Sequence, residues 1–115
     1  RFNNPAGFDS QYNYSTAQDL LVIAKELLEY PLISQITSQE THTSLNYKKN
    51  RKYQLVNTNR ELNNFLNIQG LKTGKTPEAQ ECFIGVTNSN NPKISIILGS
   101  KNRFLDTKSL IYLFN

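Results

Sequence analysis

Ala17, Leu20, Leu21, Ala24, Leu27 and Leu28 recur at steps of three and four residues, the spacing of one apolar helix face. Ser15 or Thr16 can cap this helix, and Gln18 or Asp19 three residues later completes a capping box. Pro31 cannot donate to a helical ladder, so the helix ends near Glu29 or Tyr30, and Leu32 to Thr37 adds a short helical turn. From Gln39 the period changes to two. Thr41, Thr43 and Leu45 alternate with polar residues, as do Tyr53, Leu55 and Asn57, and the polar Asn46 to Arg51 between them predicts a hairpin with an exposed tip. Asn57 to Asn67 is ambiguous, with Leu62, Phe65 and Leu66 anchoring a turn or a short helix. Three strands follow at Gly70 to Thr76, Glu81 to Asn88 and Lys93 to Gly99. The turn Asn88-Ser89-Asn90-Asn91-Pro92 makes the last two antiparallel. Arg103 to Phe114 predicts a closing helix, with Phe104, Leu110, Ile111 and Phe114 as its stripe. Ahead of all this, Arg1 to Tyr14 carries Asn3-Asn4-Pro5-Ala6-Gly7 and predicts a turn-rich loop. The expected class is α+β, an antiparallel sheet flanked by helices.

At 115 residues the chain suits one domain, and 37% apolar with 19% charged residues excludes a disordered polyelectrolyte. The longest apolar run, Ile94 to Leu98, is broken by Ser95 and falls far short of the roughly 20 residues that span a bilayer. The single cysteine, Cys82, permits no intrachain disulfide, and it fits a buried small hydrophobe. With His42 as the only histidine, a four-ligand zinc site has no donor set, and neither metal nor cofactor is expected. His42 itself fits the surface, while Tyr12, Tyr14, Tyr47 and Tyr53 fit packing and hairpin positions. The net charge of +4 is dispersed apart from Lys48, Lys49, Arg51 and Lys52, which fit a charged loop, so no nucleic-acid partner is expected. Fifteen asparagines show no repeat period. Arg1 to Asn13 is polar and does not form a signal peptide.

The distinctive stretch is Gly70-Leu71-Lys72-Thr73-Gly74-Lys75-Thr76-Pro77-Glu78-Ala79. Gly74-Lys75-Thr76 copies the end of a phosphate-binding loop, but Gln69 stands where that motif needs glycine, and Pro77 leads into a strand where a helix is required. Lys72-Thr73-Gly74 matches instead the strand signature of penicillin-binding enzymes. Its chemistry suits the rim of a cleft. An ammonium draws in an anionic tail, and a hydroxyl hydrogen-bonds a terminal carboxylate. A glycine lets a substrate backbone lie against the strand, where a Cβ would intrude.

Other blocks stand around it in order: Asn3-Asn4-Pro5-Ala6-Gly7-Phe8-Asp9, Tyr14-Ser15-Thr16-Ala17-Gln18-Asp19-Leu20, Asn57-Thr58-Asn59, Ile97-Leu98-Gly99-Ser100 and Arg103-Phe104-Leu105-Asp106-Thr107-Lys108. From Phe2 to Phe114 the series resembles the serine-type D-alanyl-D-alanine carboxypeptidases, the low-molecular-mass penicillin-binding proteins. The resemblance implies the penicillin-binding, β-lactamase-like transpeptidase fold. It also implies removal of the terminal D-alanine of peptidoglycan stem peptides through a serine acyl-enzyme, acylation by β-lactams, and a place in the cell envelope. By this resemblance Lys72, Thr73 and Gly74 are the strand motif, with Lys72 among the catalytic groups. Arg103 is the arginine that joins Lys72, Thr73 and Gly74 in binding the substrate carboxylate.

The resemblance stops at the nucleophile. That residue lies in Ser-x-x-Lys, where the lysine shares a helix face with the serine and accepts its proton. None of the nine serines here has lysine three residues on. Ser44-Leu45-Asn46, Ser89-Asn90-Asn91 and Ser100-Lys101-Asn102 match the second element, Ser-x-Asn, only formally, since the family element precedes the segment that begins at Phe2. Residues 1–115 are therefore expected to be the C-terminal portion of such a catalytic domain, inactive alone. Apolar surface and the edge strand Gly70 to Thr76 should be covered by the N-terminal remainder of the enzyme or by self-association. Two other readings remain: a class A β-lactamase-like hydrolase, and a non-catalytic envelope module that binds peptidoglycan peptides.

Overall fold

A computed structural model describes residues 1–61 and 67–114. Helix α1 spans Ala17–Leu28, and the capping alternatives resolve to Thr16 and Asp19. The Asp19 amide donates to Thr16 Oγ1 at 3.1 Å, and the Thr16 amide donates back to Asp19 Oδ2 at 3.4 Å. The predicted face is the inner one: Ala24 is fully buried, and Leu20, Leu21, Leu27 and Leu28 are half-buried. Only Ala17 stands out in solvent. Pro31 takes the first position of α2, Pro31–Thr37, where its missing N–H needs no partner.

The period-two segment forms the expected hairpin. Strand β1, Thr41–Asn46, pairs antiparallel with β2, Arg51–Val56, in register from Thr41 opposite Val56 to Asn46 opposite Arg51. Its alternation is not that of one buried face. Every residue of β2 is exposed, because among the described residues this two-stranded sheet has no layer packed over it. Tyr47 in the turn and Tyr53 on β2 are hairpin residues as expected, while Tyr12 and Tyr14 are exposed rather than packed in the core, and His42 is exposed as expected. The ambiguous stretch anchored on Leu62, Phe65 and Leu66 lies outside the described residues.

The main sheet has the order β3-β4-β5, with β3 at Ile68–Thr76, β4 at Gln80–Thr87 and β5 at Ile94–Ser100, all antiparallel. Helix α3, Arg103–Leu113, packs on β5 and β4, α1 packs on β5, and α2 packs on β3. Ile68, Phe83 and Ile111 form the core, with Ile97 and Phe104 against it. Phe83 and Phe104 meet edge to face at 5.4 Å. Gly85 is required there, since a Cβ would stand 2.7 Å from the Phe83 ring and 2.8 Å from Ser95 Oγ. Cys82 is half-buried, not buried, because its neighbours on β3 are Gly74 and the polar rim.

Candidate functional site

Residues 72–74 lie on β3, which among the described residues pairs on one side only, with β4. Strand alternation sends Lys72 and Gly74 to one face and Thr73 to the other, so their chemistry can meet only along the free edge. Three long-range contacts fix that edge. Asp9, from the N-terminal loop, accepts a 2.6 Å hydrogen bond from Thr76 Oγ1 at the end of β3. The loop holding Asp9 is itself closed by side chains, with Asn4 Oδ1 accepting from the Phe8 amide and Asn13 Nδ2 donating to the Phe8 carbonyl. Thr58, from the loop after β2, shares a 2.5 Å hydrogen bond with the Thr73 hydroxyl. Arg103 donates from Nη1 to the Gly74 carbonyl at 2.7 Å.

The route by which Arg103 arrives is built into the end of β5. The register between β4 and β5 slips after Glu81 opposite Ser100, next to Gly99, whose φ of +65° favours glycine. Past this bulge Ser100 Oγ accepts from the Asn102 amide at 2.9 Å and donates to Asp106 at 2.5 Å, and Asn102 Oδ1 caps α3 by accepting from the Leu105 amide. Arg103 is thus the first helical residue. A cation there opposes the helix dipole, which favours anions at this end. Its guanidinium lies 5.1 Å from the Phe104 ring centre, and its Nε is buried with no hydrogen-bond partner among the described residues.

Glu81 balances the local charge. One carboxylate oxygen pairs with Lys75 Nζ at 2.8 Å across the strands, and the other accepts from the Arg103 backbone amide at 3.2 Å. The Lys75 hydrogen bond, followed by that of the Arg103 amide, holds the Glu81 carboxyl below its ordinary range. Lys75 is therefore a structural ion-pair partner. Asp106 is engaged by the Ser100 hydroxyl.

The exposed Lys72 donates from Nζ to the Thr73 carbonyl, so Lys72 and Arg103 reach adjacent carbonyls of one strand. Gly74 leaves open surface: a Cβ there would meet nothing nearer than Cys82 Cβ at 3.9 Å. Lys72, Thr73 and Gly74 are thus consecutive on β3, and Arg103 is joined to them through the Gly74 carbonyl. The clefts at the base of the hairpin, lined by residues such as Glu40, Thr41, Val56 and Asn57, include none of them. Among the described residues no group of His, Cys, Asp and Glu side chains could hold a metal ion. The reading by residue type missed the contacts of Thr58, Asp9 and Glu81. The signal for Thr58 was its place between two asparagines, whose side chains set turns.

The profile of peptidase family S11, D-alanyl-D-alanine carboxypeptidase, matches residues 1–102. A D-alanyl-D-alanine carboxypeptidase of Bacillus subtilis is 35% identical over 100 residues, 86% of this chain and 25% of that protein. A D-alanyl-D-alanine endopeptidase of Pseudomonas aeruginosa is 33% identical, over 96% of this chain and 37% of its own length. The chain thus spans between a quarter and about two-fifths of these curated relatives. Among solved structures, penicillin-binding protein D2 from Listeria monocytogenes in its cefotaxime-bound form is 34% identical with a TM-score of 0.79, over 96% of this chain and 46% of that one. The Streptomyces K15 DD-transpeptidase has a TM-score of 0.81 at 24% identity, over 92% and 44%, a likeness of fold alone.

Proposed function

The chain belongs to the D-alanyl-D-alanine carboxypeptidase family, and on that premise we propose that it forms the C-terminal part of a serine peptidase that trims the terminal D-alanine from peptidoglycan stem peptides. Lys72, Thr73, Gly74 and Arg103 are its carboxylate-binding corner. The observation that carries this reading is the Arg103 bond to the Gly74 carbonyl, which ties the start of α3 to the strand motif. The Arg103 guanidinium, held against the dipole of its own helix, bonds a neutral carbonyl, and a negatively charged peptide end is its electrostatic complement.

In this reading the peptide lies along the free edge of β3, close to Gly74. Its terminal carboxylate accepts from the Thr73 hydroxyl and is held in the field of Lys72 and Arg103. Lys72 keeps the edge positive, favouring the anionic states of an acyl-transfer reaction. The nucleophile and its proton acceptor come from sequence outside these residues, since no serine of the chain carries lysine three positions on. β-Lactams carry a carboxylate and fit the same corner. The Listeria relative is known with cefotaxime and with ampicillin bound. A peptidoglycan substrate places the enzyme outside the cytoplasm, in the cell envelope. Among the described residues no helix is long and apolar enough to cross a membrane.

The test is the affinity of the chain for a D-alanyl-D-alanine peptide, followed by NMR titration. Lys72→Ala and Arg103→Ala are each expected to weaken binding by about tenfold or more, the loss of one charge-assisted hydrogen bond. Arg103→Lys, which keeps the charge and loses the fork, should fall between. Equal affinity in wild type and variants would remove both residues from the site.

A further inference from the structure

The carboxylate corner proposed above needs a hydroxyl hydrogen aimed outward from β3, and the strand alone does not set its direction. Thr73 has one hydroxyl hydrogen and two lone pairs. Its Oγ1 lies 2.5 Å from Thr58 Oγ1, at the short end of the range for a hydroxyl pair, and either oxygen can donate. The pair has two polarities. In one, Thr73 donates to Thr58 and presents only lone pairs to the edge. In the other, Thr58 donates to Thr73, and the Thr73 hydrogen is free to point outward.

The loop that carries Thr58 is held by the asparagines on either side. Asn57 donates from Nδ2 to the carbonyls of Thr37 at 3.1 Å and Gln39 at 2.9 Å, and its backbone amide donates to the Glu40 carbonyl. Asn57 Oδ1 accepts from the Asn59 amide at 2.9 Å, and Asn59 Oδ1 accepts from the Glu61 amide at 3.1 Å. Asn59 is buried while Thr58 is exposed. The two asparagines fasten the chain to α2 and to the following turn, and the residue between them is exposed. What remains for Thr58 is its hydroxyl, presented to the middle residue of the strand motif.

We propose that Thr58 is a positioning residue for substrate binding: its hydroxyl donates to Thr73, so that Thr73 in turn donates to the terminal carboxylate of the peptide. This deepens the proposed function and rests on it. A carboxylate is an acceptor only, so an incoming peptide selects this polarity, and a hydroxyl that accepts one hydrogen bond is a better donor in the next. The relay favours a bare carboxylate, which only accepts, over a terminal amide, whose NH2 group can donate to a Thr73 lone pair whichever way the hydroxyl points.

The experiment compares two peptides, one ending in D-alanyl-D-alanine with a free carboxylate and the other amidated at that end. Both are titrated against the 115-residue chain, its Thr58→Val variant and its Thr58→Ser variant. Thr58→Val should weaken the carboxylate peptide by about three- to tenfold, the worth of one neutral hydrogen bond, with the amidated peptide unchanged. Thr58→Ser should restore the wild-type preference. A Thr58→Val variant that discriminates as well as wild type overturns the relay alone. Loss of both peptides in equal measure also overturns it, because that is the mark of a merely structural threonine. A wild-type chain that does not distinguish the two peptides refutes the carboxylate corner itself, and the relay with it.

Discussion

Gly74 separates a demand of the fold from a demand of the ligand. Gly85 has no room for a Cβ because Phe83 and Ser95 crowd it, so its glycine is explained inside the chain. At Gly74 the nearest obstacle to a Cβ is at ordinary contact distance, so nothing within the chain requires glycine there. Gly74→Ala should therefore leave the thermal midpoint unchanged or slightly raised, since alanine restricts the unfolded chain more. It should weaken a D-alanyl-D-alanine peptide, whose backbone needs the space. A variant that loses stability while keeping affinity would place the requirement in the fold. Arg103 makes the same point for charge: its guanidinium donates to a strand carbonyl 29 residues away.

The contact between α3 and the β3–β4 hairpin runs through Glu81, which bridges Lys75 and the first amide of the helix. Its carboxyl is held below the ordinary value of about 4.3, chiefly by the Lys75 hydrogen bond. A depressed carboxyl stabilises the fold above its unfolded-state value, and that contribution disappears as the pH falls through the folded-state value. Thermal unfolding of wild type and Glu81→Gln should thus differ by a constant amount near neutral pH. The two should converge below about pH 4, as the wild-type carboxylate takes up its proton. A gap that widens in acid would reverse the sign of the shift. Most elements on either side of this junction were legible from pattern: the α1 face, the proline start of α2, the hairpin and the order of three strands match within a residue or two. The side-chain bonds between them were not, because they join residues 15, 29 and 67 positions apart.

Among the described residues five apolar side chains are buried, Ala24, Ile68, Phe83, Val86 and Ile111, whereas nineteen large apolar or aromatic ones stand exposed. The radius of gyration is 15.3 Å, against about 13 Å for a well-packed chain of this length. The excess comes with a hairpin over which no layer packs among the described residues and with apolar residues left in solvent, such as Val22, Leu32, Val56 and Leu113. A surface of this kind associates. Light scattering during size exclusion should show mass rising above that of the monomer as concentration increases, with salt promoting it by screening the net charge of +4. A sharp monomer peak at all concentrations would show that these side chains are tolerated in water.

Local chemistry is written in neighbouring residues, and here it was readable before any coordinates. Capping pairs, helical and strand periods, the turn at Asn88 to Pro92 and the motif Lys72-Thr73-Gly74 all depend on atoms within a few residues of one another. The exposure of the hairpin, the bridging of Glu81, the seat of Arg103 and the pairing of Thr58 with Thr73 depend on how separate segments come to rest. A side chain's partner is chosen by three-dimensional proximity and by competition among all donors and acceptors nearby. A one-dimensional pattern names the candidates for that competition, and packing selects among them.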